Sequence, residues 1–330
     1  MYHSRRKKRF ASTGIKDYAC SHNIEIASLG DCMHIGFSNA RRALTVWGLS
    51  ACALVWPMAH AWAQKISVVY AREVPENDSR LEYPVRLLDM ALRESGVAYE
   101  LRSEVRSMSQ EATFTQLAQG AHFNVLWSMT SRAREEQLLP IRIPIDKGLF
   151  GYRIAFVRPQ APNPLAQVRT LADLRKLRAG QGQDWPDTQI LRDNGLPVVT
   201  NLAFEGLMSM LHAGRFDYFP RSVLEIVDEK ALPATRGATV DEHVLIHYPA
   251  AIYFFVNKKD KALARTIERG LNKAIADGSF DTLFYERFGD VIQRANLRQR
   301  SAIALKNPLL PPETPLSRKA LWLDITALPK

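Results

Sequence analysis

The sequence predicts an α/β fold. Short β-branched and apolar runs alternate with longer segments whose apolar residues recur at helical spacing, and this alternation is typical of βα units with largely parallel sheets. The 330 residues are 46% hydrophobic and 24% charged, close to the average for soluble globular chains, so disordered and fibrous classes are excluded. A chain of this length suggests two domains of about 150 residues each.

The first part of the chain alternates predicted strands and helices. Pro84 lies in the first turn of the first helix and Gly96 at its end, and Gly120 ends the second helix. The predicted strands are Lys65–Tyr70, Tyr99–Arg102, Phe123–Trp127 and Tyr152–Val157. The predicted helices are Tyr83–Ser95 and Glu111–Gln119.

The second part continues the alternation. Thr170 and Asp173 have the spacing of a capping box and predict the start of a short helix. After Asn307 the chain becomes Pro-rich and ends in an apolar piece around Trp322, which we expect to pack back on the fold. The predicted strands are Val198–Val199, Phe216–Phe219 and Ala251–Asn257, and the predicted helices are Thr200–Ala213, Lys261–Ala276 and Phe280–Phe288.

Residues 1–63 have the pattern of an extension followed by a secretory signal peptide. Arg41-Arg42 precedes an uncharged, largely apolar run that ends in the small-x-small site Ala61-Trp62-Ala63, so we expect cleavage after Ala63 and export to the periplasm. A proline and a histidine interrupt the run, which favours a signal peptide over a transmembrane anchor of about 20 apolar residues.

Two features of this segment leave alternatives open. Leu49-Ser50-Ala51-Cys52 has the letters of a lipoprotein box, although lipidation at Cys52 would leave an apolar sequence as the tether. The basic run Arg5–Arg9 is a candidate nucleic-acid arm, but translation from Met33 would place the signal at an ordinary distance from the N-terminus.

Removal of residues 1–63 changes the charge and the cysteine content. The net charge of +10 falls to +5, because the segment holds eight basic and three acidic residues. The three cysteines, Cys20, Cys32 and Cys52, all leave with it. A chain without cysteine has no disulfide or paired-cysteine zinc site and suits an oxidising compartment. We expect no nucleic-acid partner for it.

Four stretches of the mature chain occur in a characteristic order. They are Trp127–Ile145 with a serine/threonine-rich turn, an arginine and a proline-led strand; Thr170–Thr188; the helix–Gly-Arg-x-Asp–strand unit Phe204–Phe219; and the strand and helix pair Ile252–Gly289. Together they resemble the family-3 extracellular solute-binding proteins, which include the polar amino-acid receptors of ABC importers. The resemblance runs from about Lys65 to Gly289.

The resemblance implies a two-lobed type II periplasmic-binding-protein clamshell with two crossover strands. Lobe one would comprise residues 64–147 and 251–330, and lobe two residues 148–250. A small polar solute that carries a carboxylate, an amino acid or an organic acid, would bind in the cleft, and hinge closure would trap it. The expected partner is the permease of an ABC importer or a membrane sensor. No enzymatic activity, cofactor or metal is expected, and the protein is expected to be a monomer.

Arg134 is the main candidate for binding the carboxylate. A guanidinium presents a planar fork that fits a carboxylate, and the resemblance places an arginine just after a threonine at this point. The loop from Thr130 to Arg134 is one residue longer than the family's common spacing, so Arg132 is a rival. Ser128 and Thr130 lie on the same turn and could complete the site, or they could serve the turn itself.

Aromatic and polar residues at other strand ends are further candidates. Tyr70 and Trp127 end two strands and could form an aromatic wall, since ligands bind at the carboxyl ends of parallel strands; core packing is the alternative role. Trp185 makes its loop bulkier than is usual in the family, and Thr188 or Asp187 could cap the helix that follows.

Arg221 and Ser222 mark the main departure from the family. The resemblance implies an acidic residue that binds the α-ammonium group, and the direct match places Ser222 there, with Arg221 beside it. Loss of an acid and gain of a cation would favour a more anionic ligand. Glu225 could instead supply the missing acid, and Arg221 could simply pair with a neighbouring carboxylate.

Two other functions use the same fold. Periplasmic dehydratases of the prephenate or arogenate type resemble these receptors and need a positioned general acid, for which Glu205, Glu225 and Asp187 are the nearest candidates. A sensor partner would report the ligand to a membrane receptor without transport, with the tail after Gly289 as its docking surface. The histidines show no metal-binding spacing.

Overall fold

A computed structural model describes residues 65–72, 79–105, 110–120, 122–159 and 162–328. The predicted signal peptide, its cleavage site and Cys52 lie outside these residues. In the described part of the chain, no helix combines the length and the apolar character needed to cross a membrane.

Two small sheets are built from the first part of the chain and one returning strand. Strands β1 (Ile66–Arg72) and β2 (Tyr99–Val105) pair in parallel. Helix α1 (Ser79–Glu94) connects them, and α2 (Gln110–Gln119) leads to the second sheet. That sheet has the order β3 (Leu126–Met129), β11 (Ile252–Val256), β4 (Leu139–Ile141), with α3 (Arg132–Gln137) between β3 and β4.

The large sheet has seven strands. Its centre is β5 (Tyr152–Val157), whose six residues are all buried. Along the sheet the order is β12 (Ser301–Ala304), β10 (Val244–His247), β5, β8 (Tyr218–Ser222), β6 (Ala179–Gly182) and β7 (Val198–Asn201), and β9 (Thr239–Val240) pairs with β5.

The remaining helices cover these sheets. The predicted capping box is present: the Thr170 hydroxyl accepts from the Asp173 amide, and the Asp173 carboxylate accepts from the Thr170 amide, at the start of α4 (Leu171–Leu174). The other helices are α5 (Pro186–Asp193), α6 (Phe204–His212), α7 (Val223–Glu229), α8 (Lys261–Asp277) and α9 (Ser279–Ala295).

The sheets are mixed rather than largely parallel, so that prediction was wrong. The pairs β6–β7, β6–β8 and β10–β12 are parallel, but β5 and β11 run antiparallel to all their neighbours. The reason is that β5 and β11 are entered directly from the other side of the molecule, without an intervening helix to reverse the chain. A strand reached in this way is free to pair in the opposite direction.

The chain passes between the small sheets and the large sheet through two neighbouring segments, residues 142–151 and 248–251. They are bonded to each other, since the Ile145 amide donates to the Ile252 carbonyl at 2.9 Å and the Tyr248 amide donates to the Gly151 carbonyl at 3.2 Å. These two crossings form the hinge region of the two-lobed fold.

The last strand departs from the predicted division into lobes. Residues 251–330 were expected in lobe one, yet β12 pairs with β10 in the large sheet. An edge strand such as β10 leaves a row of backbone groups unpaired, and β12 satisfies them. The other lobe boundaries stay a prediction.

Candidate functional site

A cavity of about 360 Å³ lies between the small sheets and the large sheet. Helix α1, strand β3 and helix α3 form one wall, and the large sheet with the starts of α5 and α7 forms the other. The first wall contributes Leu81, Tyr83, Gln110, Trp127, Ser128 and Arg134. The second contributes Arg153, Trp185, Asp187, Arg221 and Glu225.

Arg134 is buried on the first wall, with 9% of its surface exposed. Its Nη1 donates to the Ser128 hydroxyl at 2.9 Å and to the Met129 carbonyl at 2.6 Å, and its Nη2 donates to the Gln110 side-chain oxygen. The guanidinium also lies over the Phe114 ring, 4.8 Å from its centroid. These contacts hold the guanidinium of Arg134 in place on the first wall.

Arg153 is the central charge of the opposite wall. It has 1% of its surface exposed and lies between two carboxylates, with Nη2 at 2.6 Å from Asp187 Oδ1 and Nη1 at 3.4 Å from Glu225 Oε2. Burial alone would lower the pKa of Arg153, but the nearby carboxylates outweigh it and raise the pKa above its ordinary value. Arg153 is therefore a permanent cation.

Aromatic groups complete the surroundings of this ion pair. The guanidinium of Arg153 lies 4.1 Å from the ring centroid of Phe150, and the Tyr248 hydroxyl donates to Asp187 Oδ1. Burial raises the pKa of the Tyr248 hydroxyl well above its ordinary value, so it stays protonated and keeps its donor role. Asp187 is thus held by both a cation and a hydroxyl.

Arg221 is engaged by acidic residues of helix α7. Its Nε and Nη2 donate to the two carboxylate oxygens of Glu229 at 2.8 and 2.5 Å, and Nη2 lies 3.0 Å from Glu225. The Trp185 ring covers the guanidinium, with its centroid at 4.5 Å. The structure therefore favours the alternative in which Arg221 pairs with neighbouring carboxylates.

Five of the nine predicted site residues line the cavity, and the structure brings them together from three separate stretches of sequence. They are Trp127, Ser128, Arg134, Trp185 and Arg221. Their binding role stays a prediction. The rival Arg132 is exposed at the start of α3.

The other four predicted residues lie outside the cavity lining, and three use their hydroxyls locally. Thr130 donates to Glu135 at 2.6 Å and Thr188 donates to the Gly182 carbonyl at 2.6 Å. The Ser222 hydroxyl accepts from the Leu224 amide at 3.2 Å and caps helix α7. Tyr70 packs its ring on Trp127, with centroids 5.7 Å apart.

Arg153 was not singled out from the sequence. A signal was nevertheless present, since a lone arginine interrupts the apolar strand Tyr152–Val157. A charge in a fully buried strand needs a partner, so its position pointed to an ion pair inside the fold. For its two partners, Asp187 and Glu225, the sequence suggests only the roles of a helix cap or an acid.

Asp146 joins the cavity to the hinge region. Its carboxylate accepts from the Gly148 amide at 3.2 Å and the Phe150 amide at 2.7 Å, and so fixes the turn that leads into β5. Burial raises the pKa of Asp146 to about 6, although these hydrogen bonds act in the opposite direction. Among the residues that the structure describes, no cluster of His, Cys, Asp and Glu is arranged to hold a metal ion.

No family model matches the sequence, and no curated protein matches it either. Solved structures do. A probable amino-acid ABC transporter extracellular-binding protein, ytmK of Bacillus subtilis, matches with a TM-score of 0.50 and 20% identity, over 69% of this chain and 100% of that one. The predicted binding-protein fold is confirmed.

Two further structures are similar at lower TM-scores. YckB of Bacillus subtilis matches with a TM-score of 0.47 and 19% identity, over 73% of this chain and 96% of that chain. An ancestral arginine-binding protein bound to arginine matches with a TM-score of 0.48 and 17% identity, over 68% and 98% of the two chains.

Proposed function

We propose that this chain is an exported solute-binding protein that captures a small polar solute in the cavity between its lobes and delivers it to an ABC importer. The fold supports this proposal, because a periplasmic-binding-protein clamshell places its ligand site between the lobes. The bacterial structure with the same fold is a probable amino-acid ABC transporter binding protein, which agrees with the proposal.

The observation that carries the proposal is the distribution of charge across the cavity. The guanidinium of Arg134 lines one wall, and the carboxylates of Asp187 and Glu225 line the other. A solute with a carboxylate at one end and a cationic group at the other would satisfy both walls through charge-assisted hydrogen bonds. We propose an α-amino acid as the class of solute.

An amino acid is a narrower class of solute than the sequence suggested. Arg221 was expected to make the site favour more anionic ligands, but its charge is already met by Glu229 and Glu225. Ser222 caps a helix and leaves the acidic role to Glu225, which keeps 25% of its side chain exposed. An amino acid is therefore favoured over an organic acid that lacks the amino group.

A thermal-shift screen of the full chain against matched pairs tests this proposal. Each pair consists of an amino acid and the same acid without its amino group, such as glutamate and glutarate. A solute that binds the native state raises the midpoint of unfolding. We expect the amino acid of at least one pair to raise it and its partner to have a smaller effect; a response confined to organic acids would contradict the proposal.

Two variants of neighbouring arginines locate the carboxylate site. Arg134→Gln is expected to abolish the shift given by the best solute, because it removes the only cation of that turn that lines the cavity in the described structure. Arg132→Gln is the matched control, since this residue is on the same helix but exposed, and it should leave the shift unchanged. The opposite pattern would assign the site to Arg132.

The other functions are tested with the same preparation. Conversion of prephenate would identify an enzyme rather than a receptor. For transport, a strain that lacks the gene is expected to take up less of the best solute, whereas a sensor partner would leave uptake unchanged. Export is tested by mass spectrometry of the protein from the periplasmic fraction. We expect the mass of a chain that begins at Gln64.

A further inference from the structure

The C-terminal segment Leu297–Leu328, called the clasp below, contacts both sides of the hinge region. Helix α9, which packs on α1 and α8 and also contacts α7, ends at Ala295, and the chain then passes directly to β12 in the large sheet. This passage is a third connection between the two sides, in addition to the crossings at residues 142–151 and 248–251.

Hydrogen bonds from Arg300 stabilise this third connection. Its Nε donates to the Ala295 carbonyl at the end of α9 at 2.7 Å, and its Nη1 donates to the Asp241 carbonyl of the large-sheet side at 2.6 Å. One guanidinium thus joins backbone groups of both sides. Movement of α9 relative to the large sheet would break at least one of these hydrogen bonds.

The middle of the clasp bonds to three places around the hinge region. The Lys306 amide donates to the Asn194 side chain at 3.0 Å, on the large-sheet side. The Asn307 side chain donates to the Pro249 carbonyl, in the second crossing, at 2.8 Å. The Arg132 amide, on the small-sheet side, donates to the Leu309 carbonyl at 3.2 Å.

The end of the clasp lies on the first crossing itself. The Leu323 amide donates to the Lys147 carbonyl at 2.7 Å, and Lys147 Nζ donates to the Ala320 carbonyl at 3.0 Å. The Trp322 ring packs so closely on Gly148 that a Cβ at that position would lie 2.4 Å from the indole. Both Lys147 and Gly148 have positive φ, at 51° and 71°.

Opening of a hinge requires a few backbone residues to change their φ and ψ angles. Lys147 and Gly148 are candidates for such residues. The clasp bonds to the carbonyl and the side chain of Lys147, and Trp322 packs on Gly148. We propose that the clasp restrains the hinge and keeps the two lobes close to the geometry seen here, whether or not a solute is bound. Loss of the clasp would let the lobes open further.

Distance measurement between spin labels on the two lobes tests this restraint. Labels on Arg269→Cys in α8 and Arg192→Cys in α5 occupy exposed positions on opposite sides, in a full chain whose Cys20, Cys32 and Cys52 are replaced by serine. Without any added solute, the parent is expected to give a narrow distribution. Trp322→Ala is expected to broaden it and shift it to longer distances.

Leu316→Ala is the matched control, because Leu316 belongs to the clasp but is 50% exposed, and it should give the parental distribution. Arg300→Gln removes the hydrogen bonds of the guanidinium to the Ala295 and Asp241 carbonyls without creating an apolar cavity. It is expected to broaden the distance distribution as well. If Trp322→Ala does not fold, the distance distribution of Arg300→Gln alone tests the restraint. Parental distributions in the folded variants would overturn the restraint.

The consequence for solute exchange rests on the proposed function. A solute found in the thermal-shift screen is expected to dissociate faster from Trp322→Ala than from Leu316→Ala in stopped-flow measurements. Because the distance measurement needs no solute, a protein that binds nothing would contradict the proposed function while the restraint could still hold.

Discussion

Arg153 and Asp187 form a buried ion pair with an N–O distance of 2.6 Å on the wall of the cavity. The side chains are 1% and 6% exposed, so neither charge is solvated by bulk water. Although the distance is short, Nε and Nη2 of Arg153 find no well-aligned acceptor within the described part of the chain. The pair is therefore held by the attraction of opposite charges more than by hydrogen-bond geometry.

The first prediction concerns this pair. Arg153→Met is expected to lower the free energy of unfolding by about 3–5 kcal/mol, because it leaves the buried carboxylate of Asp187 without its cation. Urea unfolding of the full chain measures the change. Arg93→Met is the control, since Arg93 lies 3.7 Å from Asp89 with 62% of its side chain exposed, and such surface pairs contribute only about 0–1 kcal/mol. Equal losses of unfolding free energy in the two variants would show that Asp187 does not depend on Arg153 as its cation.

Much of the fold could be predicted because its signals are local. Apolar spacing and terminal glycines located α1 and α8, and the capping box of Thr170 located α4. The direction of β5 could not be read in this way, since antiparallel pairing depends on where the chain enters the sheet. The pairing of β12 was also missed, because four small and apolar residues after a helix give no sign of the strand that they will meet.

The site was predicted less completely, for a physical reason. Arg134 was found because its turn resembles a known pattern, and Trp185 because its loop departs from that pattern. Whether a hydroxyl faces the cavity or bonds to the nearby backbone depends on rotation of one bond, and the sequence does not determine it for Thr188 or Ser222. The pairing of Arg221 with Glu229 depends on the last residue of α7, about two turns beyond the strand, which the resemblance does not describe.

The second prediction separates capping from binding at Ser222. Because its hydroxyl accepts from the Leu224 amide, Ser222→Ala is expected to lower the free energy of unfolding by about 1 kcal/mol, as for other N-cap residues. The affinity for the best solute should be unchanged. Titration calorimetry of the folded variant checks this, and a large loss of affinity would restore the binding role that the sequence suggested.

The third prediction compares two helical glycines. A Cβ on Gly270 of α8 would lie 1.7 Å from the Ala91 carbonyl of α1, so Gly270→Ala is expected to cost about 1–3 kcal/mol through forced separation of the helices. Gly289 of α9 has nothing within 4 Å of that position, so Gly289→Ala should stabilise the chain by about 0.5–1 kcal/mol. Stabilisation by Gly270→Ala in thermal and urea unfolding would show that the α1–α8 contact is looser than described.

The fourth prediction concerns pH and two groups whose effects oppose each other. Burial lowers the pKa of His247, which stacks on Tyr152, to about 4, so the stability that depends on its neutral form is lost as the pH falls from 6.5 towards 4. Burial raises the pKa of Asp146 to about 6, so the stability that depends on its protonated form is lost as the pH rises from 4 towards 6.

Because the two slopes have opposite signs over the same window, they offset each other in the parent protein. His247→Asn removes one slope and leaves the other, so the stability of this variant relative to the parent should rise as the pH falls from 6 to 4. Urea unfolding at a series of pH values measures the difference. His122→Asn, at an exposed position, corrects for the general effect of removing an imidazole. A constant difference between His247→Asn and the parent would show that His247 can be protonated without disturbing its stack on Tyr152.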